Sequence, residues 1–168
     1  MRSRSETPTE LELHVAGNPA PQGSKTGFAV KRGGAYTGKV AMMESSSARL
    51  EKWRADVRAD VQAEAQRIGW QSLTGAVALQ LEFYLPRPKS HYRTGRNAHM
   101  LKDSAPRFPA TVPDIDKLDR AVIDALDAVG IFDDDKQIID LHSTKHYAGP
   151  AVGTGCDITI TNLEGATA

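Results

Sequence analysis

The spacing of hydrophobic and polar residues along the chain predicts several β-strands. LELHVAG alternates apolar and polar positions, and VALQLEFYL places five apolar residues on one face before Pro86. A period of two is typical of a strand with one buried face, and proline ends such a strand. QIIDLHSTKHY and CDITITN have the composition of two further strands. FAVKRGGAYTG, with Gly33 and Gly34 between two short runs, predicts a hairpin.

Two other segments have the spacing of amphipathic helices. The first runs from Ser47 to Ile68 and is followed by Gly69, a typical helix C-cap, while the second starts just after Pro113 and ends at Gly130. Their apolar positions are Leu50, Trp53, Val57, Val61, Ala65 and Ile68, then Ile115, Leu118, Val122, Ala125, Leu126 and Val129. We therefore expect one α+β (mixed α/β) domain at 11–163, with a small mixed sheet and two main helices, between a disordered tail at 1–10 and a frayed tail at 164–168.

Length and composition fit this single domain. A chain of 168 residues with 40% hydrophobic and 25% charged residues can bury a core of its own. No apolar run is long enough to span a bilayer, and MRSRSETPTE lacks the apolar centre of a signal peptide, so we expect a cytoplasmic protein without a membrane partner. Cys156 is the only cysteine, which excludes an intrachain disulfide and predicts a small buried residue.

The formal net charge of zero conceals two halves of opposite sign. Residues 1–110 carry 17 basic and 10 acidic groups, whereas residues 111–168 carry 4 and 11. A basic surface beside an acidic site is what an enzyme of nucleic acids needs. Chance clustering on a solvated surface would give the same counts.

The segment 86–110 has no periodicity and holds six basic residues against one acidic residue. Loops of this length are usually functional or disordered. Its cations alternate with His91 and Tyr92, a combination that suits contacts to phosphates and to an unstacked base. A flexible, solvated loop is the alternative interpretation.

Carboxylates gather at the start of the second predicted helix and in the turn after it. The first place holds Asp114 and Asp116, and the second holds Asp133, Asp134 and Asp135. At about 100° per residue, the first two can converge only if Asp114 precedes the first turn. Three adjacent aspartates repel one another, and a bound Mg²⁺, which prefers carboxylate oxygens, would remove that repulsion.

An ordinary helix start explains the first pair equally well. Asp114 would be the N-cap, and Asp116 would be a first-turn acid that is favoured by the helix dipole and paired with Arg120. A calcium loop of the EF-hand type is excluded, because Leu118 and Asp119 stand where that loop needs a ligand and a glycine. The residues alone leave the structural and the metal-binding interpretation open.

The order of these motifs resembles the RusA-type Holliday-junction resolvases of bacteria and their phages. The resemblance rests on PDIDKL, AVIDALDAVGI, DDDKQI and the spacing of Leu141 and Lys145, with weaker likeness in GNPAPQGSK and FYLPRPKSHY. It covers the chain from about Leu11 to Asn162. It implies a homodimeric enzyme that nicks four-way DNA junctions symmetrically with Mg²⁺, or with Mn²⁺, held by acidic residues.

Carried over position by position, the resemblance implies that Asp114, Asp116 and Asp135 hold the metal and are catalytic together with Arg120. Arg120 stands where the family has a lysine, and Lys117 stands where it usually has an asparagine. A guanidinium keeps the charge but changes the geometry, so we expect Arg120 to neutralise charge that develops on the phosphate. We expect DNA contacts from basic residues of the hairpin, the loop and a later strand: Lys25, Lys31, Arg32, Arg87, Lys89, Arg93, Arg96 and Lys145.

The expected function is metal-dependent resolution of Holliday junctions by paired nicks in DNA recombination and repair. Two alternatives stay open. One is a less selective nuclease that cuts flaps or other branched DNA. The other is a catalytically weak DNA-binding protein whose acidic residues serve only folding.

Overall fold

The structure is a computed structural model that describes residues 8–23, 25–44 and 47–165, with only the backbone at 25–28 and 41–44. Residues 1–7 of the predicted N-terminal tail and 166–168 of the predicted C-terminal tail lie outside the described residues. The elements of the described part are β1 (Glu10–Ala16), β2 (Lys25–Arg32), β3 (Ala35–Glu44), α1 (Ala48–Ile68), β4 (Val77–Leu85), α2 (Ile115–Ala128), β5 (Ile138–Tyr147) and β6 (Gly155–Asn162). Single 3₁₀ turns cover Lys89–His91, Gly95–Asn97 and Asp135–Gln137.

The strands form a four-stranded sheet in the order β1-β6-β4-β5 and a separate two-stranded sheet of β2 and β3. β6 pairs antiparallel with both of its neighbours, whereas β4 and β5 are parallel. Parallel neighbours need a long crossover connection, which is supplied by residues 86–137 with α2. The predicted α+β domain with a mixed sheet and two main helices is confirmed.

Local signals fix both ends of each helix. The Ser47 side chain accepts a hydrogen bond from the Leu50 backbone N–H at 3.2 Å at the start of α1, and Gly69 ends this helix with φ 73°. α2 begins after Asp114, whose backbone is extended, and Gly130 follows its end with φ 69°. Glycine adopts this left-handed conformation without the steric cost of a side chain. The predicted helix boundaries are confirmed.

The hydrophobic core lies between the two helices and one face of the four-stranded sheet. It includes Trp53, Phe83 and Cys156, each at most 1% exposed. Trp53 is thus a core residue, as predicted, and burial raises the pKa of the Cys156 thiol. No helix among the described residues is long and apolar enough to cross a membrane. This core supports α2 and the start of β5, which flank the turn that carries Asp133, Asp134 and Asp135.

Candidate active site

A cavity of about 300 Å³ lies where the first half of α2 faces the 3₁₀ turn and the start of β5. Its lining residues are Asp116, Asp119, Arg120, Ile123, Asp135, Ile138 and Leu141. Three of the four residues predicted to be catalytic, Asp116, Arg120 and Asp135, are therefore brought together. Asp114 is not among the lining residues. The cavity joins carboxylates from two separate segments with apolar side chains of α2 and β5.

Asp114 occupies the N-cap position of α2, with φ −68° and ψ 139°. Its side chain makes no capping hydrogen bond. It pairs instead with Lys117, whose Nζ lies 3.1 Å from Asp114 Oδ2. Asp114 thus precedes the first helical turn, as its convergence with Asp116 requires. Its carboxylate, however, contacts the Lys117 ammonium group at the helix start.

The three consecutive aspartates of the turn have three different surroundings. Asp133 accepts a hydrogen bond from Ser72 Oγ at 3.2 Å. Asp134 caps the 3₁₀ turn by accepting from the Lys136 backbone N–H at 3.0 Å, and its hydrogen bond with the Lys136 side chain is the main cause that lowers its pKa. Only Asp135 lines the cavity. Local contacts thus hold two of these carboxylates within the turn, whereas the third lines the same cavity as Asp116.

Gln137 holds this turn against the segment before β4. Its side-chain N–H groups donate to the Leu73 and Gly75 carbonyls at 2.8 and 2.9 Å. Its side-chain oxygen accepts from the Asp134 backbone N–H at 2.8 Å and completes a capping box. Sequence reasoning assigned no role to Gln137, although a glutamine three residues after a capping aspartate is the signal for this motif.

Arg120 connects the two acidic segments across the cavity. Its Nη1 lies 3.7 Å from Asp135 Oδ2. The structure gives an ion pair with Asp135 rather than the intrahelical pair with Asp116 that the alternative interpretation of the helix start requires. Both partners are about half exposed, so solvent or a phosphate can reach the guanidinium.

Asp119 is a feature of the cavity that the sequence analysis did not include among the functional residues. It is 8% exposed, and its Oδ1 accepts a hydrogen bond from Ser143 Oγ of β5 at 2.5 Å. Burial is the main cause that raises the pKa of this carboxyl; the Ser143 hydrogen bond opposes the shift, and the charge of Asp116 adds to it. The sequence contained one signal for this role: Asp119 follows Asp116 by three residues, so both lie on the same side of the helix.

The donor chemistry of the cavity fits a hard divalent cation. Mg²⁺ is usually held through one or two carboxylates together with waters and substrate phosphates. Asp116 and Asp135 provide two such carboxylates. Within the ranges that the structure describes, no group of three or more His, Cys, Asp or Glu side chains is arranged to hold a metal ion. The predicted set of three aspartates is therefore not assembled around one point.

The four basic residues of the segment 86–110 that were predicted to contact DNA divide into two groups. Arg87 and Arg93 stabilise the segment itself. Arg87 donates to the Pro106 carbonyl at 2.8 Å and lies over the Tyr147 ring, and Arg93 pairs with Asp103 at 2.8 Å. Lys89 and Arg96 are exposed, and the described residues offer them no ion-pair partner. Both are thus accessible to an anionic ligand.

Lys145 lies at the N-terminal side of α2. Its Nζ donates to the carbonyls of Thr111 and Pro113 at 2.9 and 2.8 Å. This lysine, predicted to contact DNA, thereby fixes the backbone that leads to Asp114 and Asp116. Of the predicted hairpin contacts, Lys31 and Arg32 are exposed near the tip, and the Lys25 side chain lies outside the described residues.

The chain is similar to known proteins in two comparisons. A family model described as "Endodeoxyribonuclease RusA" matches residues 19–160. The "Uncharacterized protein YqaN" of Bacillus subtilis (strain 168) is 30% identical over 138 residues, which cover 82% of this chain and 88% of that protein. The match to the family model runs from before β2 into β6 and includes every residue that lines the cavity.

Proposed function

The chain belongs to the RusA family of endodeoxyribonucleases, and from this membership we propose that it resolves Holliday junctions by paired, Mg²⁺-dependent nicks. The observation that carries the proposal is the shared cavity of Asp116, Arg120 and Asp135, which come from α2 and from the turn after it. The corresponding cellular roles are DNA recombination and repair. Mn²⁺ is the alternative ion, since it also binds carboxylate oxygens.

The proposed reaction is hydrolysis of a phosphodiester. Asp116 and Asp135 hold the cation, with Asp114 as the third ligand that family membership implies. When bound, such an ion lowers the pKa of a water and stabilises charge on phosphate oxygens. The carboxylates of α2 and of the turn thereby fix where the scissile phosphate binds.

Arg120 acts on the phosphate by charge and hydrogen bonds. A guanidinium stays protonated near neutral pH, so it cannot deliver the proton that the leaving oxygen needs. Its contact with Asp135 is long, at 3.7 Å, and both groups are about half exposed. A surface pair of this kind is weak, so a phosphate oxygen can replace Asp135 as the partner of Arg120.

The substrate panel that tests the proposal contains a mobile four-way junction, a flap and a linear duplex, each incubated with Mg²⁺. We expect symmetric nicks in the junction and little cleavage of the duplex. Equal cleavage of flap and junction would instead support the less selective nuclease. Binding without cleavage of any substrate would support a DNA-binding protein whose acidic residues serve folding.

Variants of the cavity separate catalysis from binding. Asp116→Asn and Asp135→Asn each remove a metal ligand and a negative charge. We therefore expect both variants to lose nicking but to bind junctions as tightly as the wild type or more tightly. Asp133→Asn is the matched control in the same turn and should retain nicking, because Asp133 contacts Ser72 rather than the cavity. A normal rate for Asp116→Asn or Asp135→Asn in Mg²⁺ would contradict the ligand assignment.

A further inference from the structure

The tip of the hairpin formed by β2 and β3 carries an exposed aromatic ring on a basic surface. Every residue from 31 to 40 is exposed, and Tyr36 and Val40 are 70% and 67% exposed. The sequence has no acidic residue between positions 25 and 43. The cations of this hairpin are Lys25, Lys31, Arg32 and Lys39. The surface thus offers positive charge and an accessible ring at the same place.

The cross-strand register sets the environment of the ring. Lys31 is the direct partner of Tyr36 in the antiparallel pair, and its Nζ lies 4.7 Å from the centre of the tyrosine ring. An ammonium group at this distance is attracted to a ring face. The remaining ring surface faces solvent beside a positive charge.

The hairpin does not need Tyr36 for the hydrophobic core. β2 and β3 pair only with each other, in a sheet separate from the four-stranded one. Among the residues whose side chains the structure describes, the core comes from the other strands, the two helices and the segments that connect them. Most of the Tyr36 ring surface is therefore exposed at the tip and accessible to a ligand.

We propose that Tyr36 stacks on an unpaired or unstacked base of branched DNA, while Lys31 and its basic neighbours contact the adjacent phosphates. This inference rests on the proposed function, because it names the feature of branched DNA that the hairpin binds. Aromatic side chains stack on bases of any sequence, and neighbouring cations follow the backbone. In a linear duplex the base faces are covered by neighbouring pairs, so a branch point or single strand provides the free face. Tyr36 would then favour branched DNA over plain duplex.

Binding of 2-aminopurine oligonucleotides tests the stacking directly. The fluorescent base is placed at the branch point of a junction, in a single strand and in a linear duplex, with EDTA present to prevent cleavage. We expect the wild type to quench the probe in the first two substrates. Tyr36→Ala should abolish this quenching and weaken binding to them roughly tenfold to a hundredfold, with little change for duplex. Tyr36→Phe should behave as the wild type, because it retains the ring.

Two control variants define the outcome. Lys39→Ala should weaken binding to all three DNA forms by a similar factor, since it removes only charge. Val40→Ala should leave binding and quenching unchanged, and a selective loss as large as that of Tyr36→Ala would overturn the assignment to ring stacking. Equal losses on duplex and junction with Tyr36→Ala would indicate groove contact and also overturn it. Loss of self-association in Tyr36→Ala would place the ring in a subunit interface and overturn it as well.

Failure of this inference is distinguishable from failure of the proposed function. Nicking by the wild type in Mg²⁺ is measured in parallel with the EDTA binding experiments. A wild type that quenches the probe but never nicks a junction contradicts the nuclease proposal and supports the stacking. A wild type that nicks junctions while Tyr36→Ala binds and quenches normally contradicts the stacking alone.

Discussion

Arg120 is the residue through which the two acidic segments of the cavity contact each other, and its substitution has a defined expected outcome. Removing one donor that stabilises transition-state charge typically lowers a rate by a factor on the order of 10² or more. We expect this loss for Arg120→Ala in a junction-nicking assay. Arg120→Lys should retain measurable activity, because lysine also provides positive charge at this position.

The same assay includes Lys117→Ala, which removes a different cation of α2. Lys117 pairs with Asp114 at the helix start rather than with Asp135. Normal junction cleavage by Arg120→Ala would reduce Arg120 to a structural partner of Asp135. Lys117 or Lys145 would then be the better candidate for the cationic role.

Asp119 predicts a dependence of stability on pH. Its pKa is raised in the folded state, mainly by burial, so folding is favoured most at pH values below the ordinary pKa of an aspartate. This contribution is lost as pH rises through the folded-state pKa. Asp119→Asn cannot ionise and keeps an oxygen for Ser143. We expect it to exceed the wild type in free energy of unfolding at neutral pH, with a difference that shrinks toward acidic pH.

Urea unfolding of both proteins at a series of pH values, in EDTA, measures this difference. Asp140→Asn is the control, because Asp140 is exposed on β5. A gap between wild type and Asp119→Asn that stays constant from acidic to neutral pH would show that the ionisation of Asp119 does not act on folding.

Among the secondary-structure elements, the 3₁₀ turn depends most on one side chain. Gln137→Ala removes two donated hydrogen bonds and one accepted hydrogen bond, and it leaves the Leu73 and Gly75 carbonyls without this partner. We expect a loss of about 2 kcal/mol in the free energy of unfolding, measured by urea titration. Nicking should fall as well, because the turn carries Asp135. The neighbouring exposed substitution Lys136→Ala should change both quantities little.

The elements themselves could be predicted from the sequence because their signals are local. Ser47 and Gly69 mark the ends of α1, and the alternation of Val77 to Leu85 marks β4. The partners of Asp119 and Gln137 could not be predicted, since each contact joins positions far apart in the chain. Asp119 contacts Ser143, and Gln137 contacts Leu73. The first contact depends on how α2 packs on β5, and the second depends on how the turn packs against the segment before β4. Periodicity encodes neither.

The candidate site was predictable to a similar extent. The resemblance placed Asp114, Asp116, Arg120 and Asp135 together, and the fold brings three of these four residues, all except Asp114, to one cavity. The roles of Asp133 and Asp134 follow only from their contacts, because the sequence shows three consecutive aspartates and does not distinguish their surroundings. Likewise, Lys145 could be assigned to DNA from its charge, whereas its hydrogen bonds to two backbone carbonyls depend on the path of the segment before α2.

At the scale of the whole molecule, the proposed paired nicks require two active sites related by a two-fold axis. A four-way junction has this symmetry, and a homodimer matches it. Light scattering at physiological salt is expected to give a mass of about twice 18.2 kDa. A monomer that resolves junctions with full activity and symmetric cuts would contradict the dimer.

The position of β6 constrains when the protein can become active during its synthesis. β6 is the last strand along the chain, yet it lies in the sheet between β1 and β4. Until residues 155–162 have left the ribosome, β1 has no strand to pair with, and β4 has its partner on one side only. The cavity formed by α2, the turn and the start of β5 therefore rests on an incomplete sheet until residues 155–162 are available for pairing. We expect nuclease activity only after β6 has joined the sheet.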